Sequence, residues 1–300
     1  MIKILKNGFL DGLMLATTIK KRYMETILVI GATGMLGEPV AKRLQGNFKI
    51  RLFVRDIEKS KKIFGNDYDY IIGDIFNNDS LEKAMNNCYG VHINLSGEIE
   101  QAGTEIIVEM AKRKNIQRIT YISGTSVCKD TIWFPLEKRK YYAEHAIISS
   151  GIPYTIFCPT WFMESLPKYV KGNKAFVFGK QPNLYHFIAV DDYAKMVLTA
   201  YQKDEAKNKR FIVHGKEGIL FKQALEMYVR ERNPSIKSVS VMPYLMAKLV
   251  AVIANKREMK EVAALMQFFE KVRELGNPQE TYKILGIPEI SLEKWIKKQK

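Results

Sequence analysis

Cysteine is scarce in this chain, with three in 300 residues, at Cys88, Cys128 and Cys158. Three distant thiols build no disulfide framework and match no metal-ligand spacing, so a reducing compartment, the cytoplasm, is expected. Histidine is nearly as rare: His92, His145, His186 and His214 lie far apart and form no metal motif. No apolar run approaches the roughly 20 residues that cross a bilayer, so no transmembrane segment is expected. Internal repeats and low-complexity tracts are absent. Acidic residues are in deficit, 32 against 47 basic, for a net charge of +15. The excess is terminal: +4 in residues 1–24, +3 in 25–202 and +8 in 203–300. No basic patch interleaved with aromatics occurs, so nucleic acid is not an expected partner. The terminal charge reads as a solvated lysine-rich surface, with an anionic surface or partner as the second reading.

The densest information lies in Ile27-Leu28-Val29-Ile30-Gly31-Ala32-Thr33-Gly34-Met35-Leu36-Gly37. Four apolar residues, mostly β-branched, predict a buried strand, and a glycine turn follows at once. Met35, Leu36, Val40, Ala41 and Leu44 then fall at helical spacing. Strand, glycine turn and helix make up the dinucleotide fingerprint. Gly31 allows a tight turn, Gly34 lets the backbone approach a pyrophosphate, and Gly37 lets the helix pack close to the strand. The helix start offers N–H groups and partial positive charge to phosphates. Gly31, Thr33, Gly34, Met35, Leu36 and Gly37 are the expected phosphate-binding residues.

Phe48 to Val54 predicts the second strand. About 20 residues past such a fingerprint, NAD enzymes commonly place an acid that binds the ribose 2′-hydroxyl. Arg55 occupies that place, followed by Asp56, with Lys59 in the first turn of the next expected helix. A guanidinium suits a 2′-phosphate by charge and bidentate geometry. NADP(H) is therefore expected in preference to NAD(H). The opposing reading makes Arg55 and Lys59 solvated charges and gives Asp56 the ribose. Tyr70 to Asp74 predicts a third strand ending in an acid, and Val91 to Gly97 a fourth strand running into a small-residue turn at Ser96 that lets the backbone pass close to a cofactor. His92 reads as an ordinary strand residue.

Further strands are expected at Ile116–Ser123, Tyr154–Cys158 closed by Pro159, His186–Val190 and Phe211–His214. Helices are expected at Glu98–Lys114, within Trp133–Ser150 before Gly151, and from Asp191-Asp192 to Tyr201, where the acids suit a helix start. The alternation predicts an α/β fold, a doubly wound parallel sheet with right-handed crossovers. From about Ile219 the chain reads as mainly helical, with helices at Met242–Ala254, Met259–Arg273, Glu280–Leu285 and Ser291–Lys298. The expected organisation is an extension at 1–23, either peripheral or a start-site artefact with Met24 as a natural start, a dinucleotide-binding domain at 24–215, and a helical cap at 216–300 packed on the same domain. Trp161, Phe162 and Met163 read equally as an apolar pocket or as core. Substrate and oligomeric state have no signature.

The Gly-x-x-Gly-x-x-Gly spacing resembles the short-chain dehydrogenase/reductase superfamily. With Val54-Arg55-Asp56, Gly73-Asp74, Ser149 to Ile156 leading to Pro159, and Val190-Asp191-Asp192-Tyr193-Ala194, the chain resembles an NmrA-like, atypical member over about Thr26 to Val213. The resemblance implies a Rossmann-type fold. It implies that Asp74 meets the adenine amino group, although Asp also suits a turn there. It also implies that Lys140 lies beside the nicotinamide ribose. Competent members carry a Tyr four residues before that Lys, which moves a proton as hydride transfers. Here the position is Leu136. Tyr141 is about 100° away around the helix and cannot substitute. Ser123, Thr125 and Ser126 are candidate substrate-side hydroxyls. Two functions follow: an NADPH-dependent reductase of a small carbonyl or quinone-like substrate, with Lys140 gripping ribose or acting as the acid, or a non-catalytic NADP(H) sensor that binds a regulatory protein partner.

Overall fold

The structure, a computed structural model, describes residues 25–253 and 257–299. The expected extension at 1–23 lies outside the described residues. Strand and helix alternate from the start: β1 (Thr26–Ile30), α1 (Gly37–Leu44), β2 (Lys49–Val54), α2 (Ile57–Phe64), β3 (Asp69–Ile72), α3 (Asn78–Met85), β4 (Gly90–Ile93), α4 (Glu100–Arg113) and β5 (Arg118–Ile122). There follow α5 (Pro135–Ser149), β6 (Tyr154–Pro159), the pair β7 (Val170–Lys171) and β8 (Lys174–Phe178), β9 (Leu184–Tyr185), α6 (Val190–Gln202) and β10 (Lys209–Val213). The chain continues through β11 (Ile219–Leu220), α7 (Phe221–Arg232), β12 (Val239–Met242), α8 (Tyr244–Ile253), α9 (Arg257–Lys271), α10 (Gln279–Leu285) and α11 (Leu292–Lys298). Seven strands form the central sheet, in the order β10-β6-β5-β4-β1-β2-β3. The expected doubly wound parallel α/β fold is the one found.

The described residues divide into two compact units, those up to Tyr121 with Ala143–Thr155, and Ile122–Tyr142 with those from Ile156 onward. In the first, β1 pairs in parallel with β2 (Ile27 beside Ile50) and with β4 (Leu28 beside Val91). Ile27, Leu28 and Val29 are fully buried, as befits a central parallel strand covered on both faces. Val40, Ala41 and Leu44, the helical stripe legible in the sequence, are the buried face of α1. The chain moves outward from β1 to β3 and then returns to place β4 on the other edge of β1. In open α/β sheets such a reversal of strand order, at the carboxyl ends of the strands beside it (here β1 and β4), is where ligands bind.

The second unit has its own core, in which Leu166, Val177, Tyr185, Phe221, Leu225 and Met266 are buried together. A three-stranded sheet, β12-β8-β7, belongs to it. Here the structure corrects several expectations. His186–Val190 is not a strand: Ile188 makes only an isolated bridge to Phe162, and Val190 already opens α6. The region after Ile219 is less purely helical than expected, because it supplies β11 and β12 and begins with α7, which the sequence reading passed over. A four-residue strand such as Val239–Met242 shows too little alternation to be read. Asp191 and Asp192 do not cap α6 with their side chains. The carboxylate of Glu164 accepts the Val190 N–H instead, with both oxygens at 3.1 Å. Asp192 is turned toward the chain before α11 and accepts from the N–H groups of Glu289 and Ile290 at 2.9 and 2.8 Å.

Candidate functional site

The glycine turn is fastened from below by a residue that sequence reasoning missed. Asn94, just past β4, donates its side-chain amide to the Gly31 carbonyl at 3.2 Å. Gly31 has φ +77°, and a Cβ there would lie 2.0 Å from the Asn94 carbonyl oxygen. A Cβ on Gly37 would meet the Gly31 oxygen at 2.2 Å and Ala32 Cα at 2.9 Å. These two glycines are required by the fold itself, one by conformation and the other by helix–strand packing. Gly34 differs. It is exposed, it has ordinary backbone angles, and a Cβ there would meet only the Gly31 oxygen at 3.3 Å and the Asn94 amide at 3.7 Å.

Helix α1 starts without a side-chain cap, its N-cap residue being Leu36. Glu38 N–H reaches the Gly34 carbonyl at 3.1 Å, but the N–H groups of Met35, Leu36 and Gly37 meet no acceptor among the described residues. Three free donors converge at the positive end of a helix dipole, which is the chemistry of an anion site. Thr33 and Leu36 are half-buried beside them, and the Met35 side chain is exposed.

At the end of β2, Arg55 and Lys59 are both exposed, and neither side chain has an ion-pair partner among the described residues. Asp56 is occupied: its carboxylate caps α2 by accepting the Lys59 N–H at 2.9 Å. That places Lys59 in the first turn of a helix, as expected, and gives Asp56 a structural task. Asp74 is exposed, and one of its carboxylate oxygens accepts the Phe76 N–H at 2.9 Å. Ser80 closes the turn with a bond to the Asp74 carbonyl. Ser96 is exposed in the small-residue turn after β4. His92 finds a partner that the sequence reading did not see, Thr120 Oγ1 at 2.9 Å on β5, and complete burial pulls its pKa down to about 3.

In the second unit, Ser123, Thr125 and Ser126 are all buried at the carboxyl end of β5. The Ser123 N–H bonds Phe157 at 2.7 Å, and Thr125 N–H bonds the buried Pro159 at 3.1 Å. Lys140, half-buried on α5, points its ammonium at the Ile122 carbonyl (3.5 Å), and its Cδ passes 4.0 Å from where a Gly124 Cβ would stand. Lys140, Ser123 and Pro159 are thus gathered at one end of this unit's strands. Leu136 holds the place one turn before Lys140, and Tyr142 is exposed. A further contact was not legible in the sequence: Phe268 of α9 stacks on Phe134 (4.5 Å, 14°) at the entry of the helix that carries Lys140. Trp161 and Met163 belong to the core, Trp161 packing edge-on against Phe221 at 5.1 Å, so the pocket reading of that stretch gives way to packing. His186 and His214, far apart in sequence, stack at 4.9 Å; chain spacing carried no sign of it.

Comparison with known proteins bears on this geometry. A family model described as NAD(P)H-binding matches residues 31–204. The photosystem II assembly factor Ycf39 of Trieres chinensis is 23% identical over 242 residues, 76% of this chain and 75% of that protein. An NmrA-like family domain-containing oxidoreductase, himF of Aspergillus japonicus, is 24% identical over 178 residues, 53% of this chain and 52% of that one. Among solved structures, Citrobacter sp. triphenylmethane reductase complexed with NADP(H) superposes with a TM-score of 0.74 at 18% identity, over 90% of this chain and 98% of that one. The NADPH-dependent quinone oxidoreductase QOR2 of Escherichia coli, complexed with NADPH, gives 0.74 at 19% identity over the same shares. At these identities the two structures speak to the fold alone.

Proposed function

Because this chain belongs to the NAD(P)H-binding family and has an NmrA-like relative, we propose that it is an NADPH-dependent reductase of a small carbonyl or quinone-like substrate. The observation that carries the cofactor half is the set of N–H groups at Met35, Leu36 and Gly37 without acceptors among the described residues, beside Gly34, where an added Cβ would meet the protein far less severely (3.3 Å) than at Gly31 or Gly37. A pyrophosphate satisfies those donors and needs the space a Gly34 side chain would take. Arg55 and Lys59, without ion-pair partners among the described residues, suit a ribose 2′-phosphate, while Asp56 is engaged in capping α2. Asp74 and Ser96 are the proposed contacts at the adenine side, and Ser123, Lys140 and Pro159 at the nicotinamide side. Bound NADPH supplies a hydride. Lys140 grips the ribose hydroxyls or delivers the balancing proton, since no phenol stands one turn before it.

A second reading, a non-catalytic NADP(H)-binding protein that presents a surface to a protein partner, is favoured by Leu136 in the proton donor's place and by the assembly-factor relative. Lys140→Met separates the two. If Lys140 delivers the proton, the change abolishes NADPH oxidation across a quinone and carbonyl panel while calorimetry shows NADPH affinity largely kept; if it only grips ribose, the change weakens NADPH binding modestly and there is no turnover to lose. Tight NADPH binding by the parent protein with no turnover on the whole panel favours the second reading and rejects the first.

A further inference from the structure

Three side chains that the cofactor reading does not use meet in the second unit. His186 follows β9, His214 follows β10, and Glu274 lies just beyond α9. The Glu274 carboxylate is 2.8 Å from His186 Nδ1 and also accepts the His186 N–H at 3.1 Å. The two imidazoles lie parallel, centroids 4.9 Å apart and 3° between planes. One donor atom from each of the three residues lies within 4.8 Å of the other two. His214 is 95% buried by area, at 5% exposed, yet its Nε2 is buried without any hydrogen-bond partner among the described residues. Glu274 holds a carboxylate in a side chain only 6% exposed. A buried imidazole nitrogen with no partner and a buried carboxylate served by a single neighbouring residue are both left short of the polar partners that buried groups ordinarily have.

The backbone holds these residues in place. Gly215 N–H bonds the His186 carbonyl at 2.9 Å, and a Cβ on Gly215 would lie 1.9 Å from the Phe187 oxygen, so only glycine permits the two segments to approach this closely. Tyr282 donates to the His214 and Gly215 carbonyls at 3.3 and 3.2 Å. The cluster opens on a cleft of about 750 Å³ that Asn183, Lys216, Arg273 and Gln279 also line.

We propose that His186, His214 and Glu274 form a site for a divalent transition metal of the zinc class, with its fourth position open to this cleft. Two imidazoles and one carboxylate are a ligand set that zinc takes when it keeps one position for water or an added ligand. Zinc–ligand bonds of about 2.0–2.2 Å require the donor atoms to close in from their present spread. They also require the stacked rings to leave their parallel planes, because a metal lies in the plane of each imidazole it binds. His186, being half-exposed, is the ring free to turn, while the buried His214 and Glu274 stay fixed. The metal's charge offsets the buried carboxylate, and Lys216 and Arg273 favour an anionic oxygen ligand in the open position.

The test uses the full-length protein, stripped with a chelator and titrated with Zn²⁺ by calorimetry and with Co²⁺ by visible absorption. One equivalent of Zn²⁺ and the intense visible bands of low-coordinate Co²⁺ are expected. His186→Ala, at a half-exposed position, and Glu274→Gln are each expected to weaken Zn²⁺ at least a hundredfold, with His145→Ala unchanged. The melting temperature of each metal-free variant checks folding. Binding below one equivalent in the parent protein, or binding by folded His186→Ala equal to the parent's, overturns the assignment.

Discussion

At the scale of single residues, the three fingerprint glycines are not equivalent. Gly31 and Gly37 are held by the protein's own backbone, so a side chain at either costs stability: a Cβ would sit 2.0 and 2.2 Å from main-chain oxygens. Gly34 answers to the ligand. Gly34→Val is expected to leave a folded protein and abolish dinucleotide binding by calorimetry, whereas Gly37→Val should lower the melting temperature outright. If Gly34→Val bound NADPH as well as the parent, the phosphate site would lie elsewhere. Arg55 makes a second prediction. A hydrogen bond to a charged group contributes about 1.5–3 kcal/mol, so Arg55→Ala should weaken NADPH at least tenfold and leave NADH nearly unchanged. Equal losses for the two cofactors would remove the 2′-phosphate role.

At the scale of elements, the start of α6 shows how a helix terminus can be completed from a distance. Its N-cap residue, Ala189, offers no side-chain acceptor, and Glu164 reaches in to bond Val190 N–H and, at 2.8 Å, the indole N–H of Trp295 on α11. Burial raises the Glu164 pKa, opposed by these donated hydrogen bonds. One carboxylate therefore ties two helices to the segment after β6. Losing a cap costs about 0.5–2 kcal/mol, and leaving a buried donor unpaired costs about 1–3 kcal/mol. Glu164→Ala should destabilise the protein by about 2 kcal/mol or more in urea unfolding, and Glu164→Gln by less, since an amide oxygen still accepts. A loss below about 0.5 kcal/mol for Glu164→Ala would show the cap to be incidental.

At the scale of the whole molecule, stability is expected to depend on pH through His92. Burial holds its folded-state pKa at about 3, against an ordinary value near 6.5. The folded chain therefore keeps a neutral imidazole where the unfolded chain takes up a proton. This contribution is fully present above about pH 6.5 and is lost as pH falls toward 3, at up to about 1.4 kcal/mol per pH unit. His92→Gln should flatten the fall in unfolding free energy between pH 7 and 5 relative to the parent. Parallel pH profiles for the two would contradict it. Ligand linkage acts on the same scale. NADPH at a hundredfold excess over its Kd should stabilise the fold by about 2.7 kcal/mol, read as a rise in melting temperature that Gly34→Val removes.

Local order along the chain was enough for the first strand, the glycine turn, the buried stripe of α1, the strand–helix alternation and four of the late helices. Each rests on periodicity or on turn chemistry, which neighbouring residues carry by themselves. The charge at Arg55 and the missing phenol at Leu136 were likewise visible, because both are statements about residue type at a spacing. What tertiary structure decided were partnerships between distant residues. Asn94 braces Gly31 because β4 returns beside β1. Glu164, and not the adjacent Asp191 or Asp192, completes α6 because a remote segment crosses its N-terminus. Trp161 is core because Phe221 and Phe269 close around it. His186 and His214 meet because Gly215 lets two backbone segments touch, and Glu274 joins them from a third segment beyond α9. Hydrogen bonds and packing act over a few ångströms in space whatever the separation in sequence, so a linear pattern records the elements and leaves their meeting points to the fold.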